Sequence, residues 1–496
     1  MFFPSKEDFL KFAKKGNLIP VYREIDGDLE TPVSAFLKVC GESDYGYLLE
    51  SVEGQEKIAR YSFIGCRPQA LLKIGGRVLE IFEADFTGGF GLTQTIHLGD
   101  PLLELKKFMS KYRLSGACKS LRFCGGLVGY FGYGMIRFFE DIPDKNLDDK
   151  GFPDALFMLS DTLIVFDHFS RKLKIVSCAF LKNNSKNTAL KAYREALKKI
   201  ETIAVKLGAN IEKAKVKAEA KDRRRAEIKF AITKEDFTGM VNKAKDYIRS
   251  GDIIQVVLSQ VLSAKTVQSP FGIYRKLRGL NPSAYMFYLR FKDLHLAGSS
   301  PEMLVRCEEG VVTTRPIAGT SARGKTEEED RRIEKELLNN PKEKAEHIML
   351  VDLGRNDLGR VCRFGSVEIT EFTRIERYSH VMHIVSEVRG RLKNSMDSYD
   401  VLRACFPAGT VSGSPKIRAM EIIDELENHR RGPYAGAVGY FDFSGNLDTC
   451  ITIRTILVNK DTAYIQAGAG IVADSKAQRE YQETLNKAKA QLEAIG

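Results

Sequence analysis

The stretch NPKEKAEHIMLVDLGRNDLGR, residues 340–360, constrains the fold more than any other. Asn340 is a strong N-cap, Pro341 suits the first helical position, and Glu343 stands where a capping-box acid would reach back. The helix so started carries Glu343 and Glu346 three apart, on one face of its first turns. Ile348, Met349, Leu350, Val351 and Leu353 make it apolar nearly all the way round, the pattern of a helix enclosed by other elements. Yet His347, Asp352, Arg355, Asn356 and Asp357 are spread through it. Buried polar groups are costly unless bonded. Their density marks a site, or else a core helix whose polar groups pair among themselves behind acids that serve the helix dipole.

A chain of 496 residues makes two or three domains, or one large intertwined one, with ample core. Its 43% hydrophobic and 28% charged residues are ordinary for a soluble protein. The net charge of +11 favours anionic ligands or an acidic partner, or serves solubility. No zinc-finger spacing or RNP-like aromatic motif accompanies it, so nucleic acid is not an expected partner. Nine cysteines, at 40, 66, 118, 124, 178, 307, 362, 405 and 450, include no CxxC pair. That is neither a disulfide framework nor a zinc ribbon, and it fits a reducing, cytoplasmic setting. No stretch is long enough to span a bilayer, and the N-terminus lacks the apolar core of a signal peptide, so no membrane is expected.

The organisation follows from local patterns. GYLLESVEGQEKIAR puts a short apolar run beside Glu50 and Ser51 and turns through Gly54, before the strand RYSFIGCRP. The glycines 129, 132 and 134 are wrongly spaced for a phosphate loop and read as close backbone packing. Residues 186–204 look helical, and the charge-rich 206–229 reads as a linker dividing an N-terminal portion, 1–205, from a C-terminal portion, 230–496. Thr233, with Asp236 three on, starts a helix, and IIQVVLSQVL follows as a strand. LAGSSPEML is a small-residue turn carrying Glu302, and residues 315–324 read as a loop.

HVMHIVSEV alternates as a strand, which turns His380 and His383 to opposite faces and argues against a His-x-x-His metal site. In residues 407–420 Ser414 reads as a cap and Pro415 as the first helical residue. DTCITIRTILV reads as one strand with Arg454 among apolar neighbours, and a buried arginine requires an anion, structural or substrate. Gly468, Ala469 and Gly470 could form a nest of amides for an anion. Ser475 reads as the cap of a last helix, whose Glu480, Glu483 and Lys487 lie off its apolar stripe, where solvation is the ordinary fate.

Two helices thus carry a Glu-x-x-Glu pair. If both pairs meet in one cleft they need a cation, because two such charges ~4 Å apart repel by about 4 kcal/mol at an effective dielectric of about 20. All-oxygen ligation with an anionic substrate suits Mg²⁺ better than zinc. Arg454, Lys487 and the Gly468–Gly470 amides would supply donors, giving a site for a small dianion bridged to Mg²⁺.

EHIMLVDLGRNDLGR, GSSPE, RPIAGT, HVMHIVSEV, PAGTVSGSPK, GPYAGAVGY, ITIRT, QAGAGIVADS and the closing E-x-x-E-x-x-x-K together resemble the chorismate-utilising enzymes, and among them the anthranilate synthases most. The resemblance covers residues 230–496 and extends through LLESVEG and RYSFIG. It implies an α+β fold of two orthogonally packed antiparallel β-sheets flanked by helices, shared by both portions of the chain. By the same resemblance Glu343, Glu346, Glu480 and Glu483 hold Mg²⁺. Thr410, Tyr434, Arg454, Gly468, Ala469, Gly470 and Lys487 contact chorismate, and Glu302 and His383 transfer protons. Ammonia is then expected to add at C2 while the C4 hydroxyl leaves, and loss of pyruvate gives anthranilate for tryptophan biosynthesis.

Relatives that form isochorismate, salicylate or aminodeoxychorismate carry lysine in a PIKGT motif. Here Ala318 stands in PIAGT, which favours amination by free ammonia. Glu50, Ser51, Asn281, Pro282, Tyr285 and Met286 resemble a feedback pocket for L-tryptophan, with Ala284 replacing a proline. No G-x-C-x-G elbow is present, so a separate glutamine amidotransferase subunit (component II) is the expected partner, in a heterotetramer. The alternatives are an aminodeoxychorismate synthase component or a non-catalytic tryptophan-sensing paralogue.

Overall fold

The computed structural model describes residues 1–41, 43–51, 60–85, 89–116, 121–148, 150–183, 185–209, 227–377 and 381–496. The expectations at Gly54, Cys118 and His380, and for most of the linker, lie outside them. The helix expected over 186–204 runs Lys186–Gly208, into the start of the linker segment.

Two antiparallel sheets organise the described residues, one of thirteen strands and one of twelve. Each draws strands from both the N-terminal portion and the C-terminal one. In the larger sheet the two portions meet where Tyr45–Glu50 pairs with Tyr285–Phe291, setting Met286 opposite Glu50. In the smaller they meet where Gly126–Phe131 pairs with Ala437–Asp442, setting Gly129 opposite Gly439. A Cβ on Gly129 would come within 2.0 Å of the Leu156 carbonyl oxygen, which is the close backbone packing expected there. One large apolar core draws on both sheets and both portions. The helices Lys186–Gly208, Pro270–Leu280 and Ala477–Ile495 pack on the larger sheet, and Pro341–Val361 on the smaller. Among the described residues no helix is long and apolar enough to cross a membrane.

Two neighbouring strands pass together from one sheet into the other. Leu294–Ser300, in the larger sheet, continues through Pro301 and Glu302 into Met303–Glu308 in the smaller. Beside it, Leu447–Ile451 continues through Thr452, Ile453 and Arg454 into Thr455–Asn459, running the opposite way. The crossing is tied by Ile451 N–H to Glu302 O at 3.0 Å and Ser299 N–H to Arg454 O at 3.1 Å. DTCITIRTILV is therefore two strands rather than one, and Arg454 turns the chain with a left-handed φ of 51°.

The N-terminal portion repeats this plan. Tyr61–Cys66 leads into Ala70–Gly75 while Ala155–Ser160 leads into Thr162–Asp167, again exchanging sheets side by side. The repeat has a short sequence trace: GCRPQAL and GSSPEML share glycine, proline and leucine at the same spacing, with Gln69 where the second has Glu302.

Local signals set most helix starts. Asn340 accepts from Lys342 N–H and Glu343 N–H at 3.0 and 3.4 Å, and the helix runs Pro341–Val361. Thr233 and Asp236 close a capping box on Lys234–Arg249. Other local expectations need correction. Ile317–Ala322 is a strand, not a loop, because it pairs with Val381–Arg391. Ser414 is taken up in a bridge to Gln255, so the helix starts at Lys416 with Pro415 as its cap. Ser475 Oγ accepts from Val472 N–H at 3.1 Å, closing the turn before the last helix, whose cap is Lys476.

Candidate active site

The strand crossing forms the floor of a cleft of about 580 Å³. Helix Pro341–Val361 supplies Glu343 and Glu346 to its lining, and helix Ala477–Ile495 supplies Glu480, Glu483 and Lys487. Glu302, His383, Thr410, Tyr434, Arg454, Gly468 and Gly470 complete the expected residues found there. Ala469 is buried and does not line it.

Glu302 lies at the crossing, 9% exposed, and accepts a bond from Thr410 Oγ1 at 2.9 Å. Burial raises its pKa to about 8, against the opposing pull of Thr410 and the Lys487 ammonium. At neutral pH it is therefore a carboxylic acid, with a proton to give. His383 has the complementary disposition. Its Nδ1 lies 3.1 Å from the Gly319 carbonyl oxygen and 3.0 Å from Thr320 Oγ1. A carbonyl only accepts, so Nδ1 carries the hydrogen and Nε2 the lone pair. Burial lowers the pKa of the ring, which favours the neutral form that has a lone pair to offer. Gly319 makes this contact at a bulge after Ala318, with φ 64°, a conformation natural to glycine.

One side of the cleft is a strand edge. Val257 N–H bonds Ser412 O, and Ser259 N–H bonds Glu427, both at 2.8 Å. Antiparallel partners either exchange both bonds or neither. Gly470 and Gly468, opposite these two residues, therefore turn their own amides to the far edge of Thr462–Ile471. On that edge pairing with Thr455–Asn459 stops at Ile465. The expected nest is thus corrected to alternate amides of an extended strand, with Ala469 turned into the ladder. A Cβ on Gly468 would come within 2.8 Å of Tyr434 Oη and 2.9 Å of the Leu258 carbonyl oxygen, so glycine lets both pack close to this strand.

Lys487 Nζ sits on the same edge, 3.0 Å from Gly468 O and 2.7 Å from Glu483. Arg454 donates to Lys487 O at 3.1 Å and has no salt bridge among the described residues. Burial lowers its pKa, while Tyr434 and Glu483 oppose that shift.

The acid pairs face one space without converging on one point. Burial, then the charge of Glu343, raises the pKa of Glu346. Burial raises that of Glu480, with Glu483 adding to the shift and Ser475 opposing it. Among the described residues no three acidic, histidine or cysteine side chains stand close enough to hold one ion. An ammonium occupies part of the space, since Lys487 bonds Glu483.

A second, smaller cavity of about 60 Å³ lies at the seam between the portions. Glu50, Ser51, Tyr285 and Met286 line it, with Ala284 beside them; Asn281 and Pro282 do not. Ser51 Oγ donates to Ala284 O at 2.7 Å, and Glu50 is held by Tyr274 and by Arg278 at 3.1 and 3.2 Å. Tyr285 Oη donates to Asp448 at 2.9 Å and accepts from Arg306 at 3.0 Å. Asn281 instead donates to Ser299 Oγ at 3.2 Å, behind the strand that leads to Glu302.

The sequence profile described as chorismate binding enzyme matches residues 77–493. The chain belongs to the chorismate-binding enzyme family. Anthranilate synthase component 1 of Acetivibrio thermocellus is 48% identical over 498 residues, covering 100% of this chain and 99% of the relative. The crystal structure of anthranilate synthase component I from Streptococcus pneumoniae superposes with a TM-score of 0.78 at 38% identity, over 95% of this chain and 99% of that one. The menaquinone-specific isochorismate synthase of Escherichia coli matches at 18% identity with a TM-score of 0.68, over 99% and 98% of the two chains, and so shares the fold.

For a chorismate-binding enzyme the donor set of the cleft fits a hard divalent cation in kind: four carboxylates, two of them with proton affinity raised by burial and by a neighbouring acid. Sequence reasoning missed Gln255 and Gln466, which also line the cleft. Gln466 is the single amide of its small-residue strand, and Gln255 opens an apolar strand that also carries Gln260; those interruptions were the available signal.

Proposed function

We propose that this chain is the chorismate-binding subunit of an anthranilate synthase, converting chorismate and ammonia to anthranilate and pyruvate. The observation that carries the reading is the pairing, in one cleft, of a carboxyl held as an acid, Glu302, with an imidazole held as a base, His383. Departure of the C4 hydroxyl needs a proton donor, and loss of the C2 proton needs a base. Glu302 gives its proton to the leaving oxygen while Thr410 steadies the carboxylate that remains. Nε2 of His383 takes the proton from C2. Arg454, Lys487 and the Gly468 and Gly470 amides hold the carboxylates of chorismate. Glu343, Glu346, Glu480 and Glu483 would hold Mg²⁺, which supplies charge neutralisation and a grip on the ring carboxylate.

Ala318 leaves no side-chain amine beside the bulge, so the nucleophile arrives as ammonia, from a glutamine amidotransferase subunit in the assembled enzyme. The seam cavity takes L-tryptophan as inhibitor, with Glu50 and Ser51 on one portion and Tyr285 and Met286 on the other.

Purified protein given chorismate, Mg²⁺ and ammonium at alkaline pH is expected to produce anthranilate fluorescence that falls when tryptophan is added. Isochorismate or 4-amino-4-deoxychorismate as the product would reassign the branch. Glu483→Gln should raise the Mg²⁺ concentration for half-maximal rate and the KM for chorismate together. Titrating Mg²⁺ at several chorismate concentrations checks this, and an unchanged Mg²⁺ dependence would remove Glu483 from the metal set.

A further inference from the structure

An ion pair is buried directly behind the cleft without lining it. Arg431 binds both carboxylate oxygens of Glu427, Nε at 2.8 Å and Nη2 at 2.7 Å. The side chains are 1% and 5% exposed. Two more of its hydrogens go to backbone: Nη1 to Val411 O and Nη2 to Val257 O, each at 2.7 Å. The guanidinium centre lies 5.6 Å from the Tyr434 ring centroid. Glu427 in turn accepts from Ser259 N–H and Oγ, and Ser259 Oγ accepts from Gln466 Nε2 at 2.9 Å. Four cleft-lining residues from four separate segments, Val257, Val411, Tyr434 and Gln466, are thus tied to this pair directly or through Ser259.

Stability alone does not account for the arrangement. Desolvating two charges costs several kcal/mol per ion, and apolar residues of similar volume often serve as well. An apolar pair could not fix two carbonyls and a serine from separate segments, whereas a planar guanidinium with fixed donor directions can. We propose that Arg431 and Glu427 are positioning residues: they set the Thr410–Val411 turn, the Val257 strand and the Tyr434 ring against one another so that the Thr410 hydroxyl stays on Glu302. This rests on the chorismate reading for what the cleft does, and on the hydrogen bonds alone for how it is held.

The test compares Glu427→Gln, Arg431→Lys and Thr410→Val in the full-length chain. Arg431→Lys keeps the charge but cannot reach both carbonyls and both carboxylate oxygens. Each positioning variant should lower kcat for ammonia-dependent anthranilate formation about tenfold or more, as small displacements at a reacting centre do. Combined with Thr410→Val, neither should fall further than the worse single variant, since both remove the same contact. Hydrogen–deuterium exchange should quicken in 407–413 and 431–436 and not in the distant strands of the N-terminal portion. That arm needs no turnover, so an inactive parent protein would count against the chorismate reading and leave positioning still measurable. Rates within twofold of the parent, multiplying losses in the double variant, or exchange quickened uniformly across the core would overturn the proposal. If Glu427→Gln does not fold, Arg431→Lys decides by the same readouts.

Discussion

Glu302→Gln is expected to leave the protein folded and to slow anthranilate formation by roughly 10²–10⁴-fold, the usual contribution of a positioned acid. Glutamine has the shape of the protonated acid and can still accept the Thr410 bond, so what is removed is the proton. The pH dependence makes the test specific. Burial holds the Glu302 carboxyl at about 8, so the acid form dominates below that pH and is lost above it. With ammonia saturating, kcat of the parent should bend downward near pH 8, and the residual rate of the variant should lack that limb. Stability moves in the same window. The pKa is higher in the folded chain than in the unfolded one, so the contribution is complete below the unfolded carboxyl range and lost as pH rises through about 8. Glu302→Gln should therefore melt closer to the parent at low pH and hold its melting temperature better above pH 8. A variant within tenfold of the parent, with the limb retained, would show that another group supplies the proton.

Arg454→Met is expected to raise the KM for chorismate by about two orders of magnitude, with a smaller change in kcat and no loss of melting temperature. Removing one partner of a buried charged contact costs about 2–5 kcal/mol of binding, and methionine fills a similar volume. The stability half is less usual. Arg454 carries a half-buried charge with no salt bridge among the described residues, in a left-handed turn, bonded to the Lys487 carbonyl. Burial works against that charge in the free protein, so its deletion relieves a cost that substrate binding otherwise offsets. Isothermal titration with chorismate and a melting curve measure the two halves separately. A large fall in melting temperature with unchanged affinity would make Arg454 a structural residue of the crossing.

Much of the site was legible in the sequence because its chemistry is dense and local. Glu343 and Glu346 share a helix face by spacing alone, and Asn340 declares where that helix begins; strand alternation only turns His383 away from the face of His380, and its proton-transfer role is what the family resemblance implies. Of the residues grouped by the feedback-pocket resemblance, Glu50, Ser51, Tyr285 and Met286 line one cavity because their segments are neighbours at the seam, with Met286 opposite Glu50. Asn281 and Pro282, read from the same motif, fall outside it because Asn281 ends the preceding helix and turns its side chain to Ser299.

The sequence by itself determined the inventory: helix starts and strand identities where caps and alternation act within a few residues, the acid pairs, and the absence of metal-binding or disulfide cysteine spacing. The tertiary structure decided where these meet. A run such as DTCITIRTILV carries no local mark of passing between two sheets, because each half is a sound strand whose partners lie far away in the chain. That passage turns Arg454 into the cleft and sets it beside the crossing that buries Glu302. It is a property of non-local pairing, as are the open edge at Gly468 and the Glu427–Arg431 pair, whose partners Val257 and Ser259 lie about 170 residues upstream. The short echoes on the chain, GCRPQAL with GSSPEML and GLVGYF with GAVGYF, are traces of that plan, and only the paired strands of the two halves make them legible.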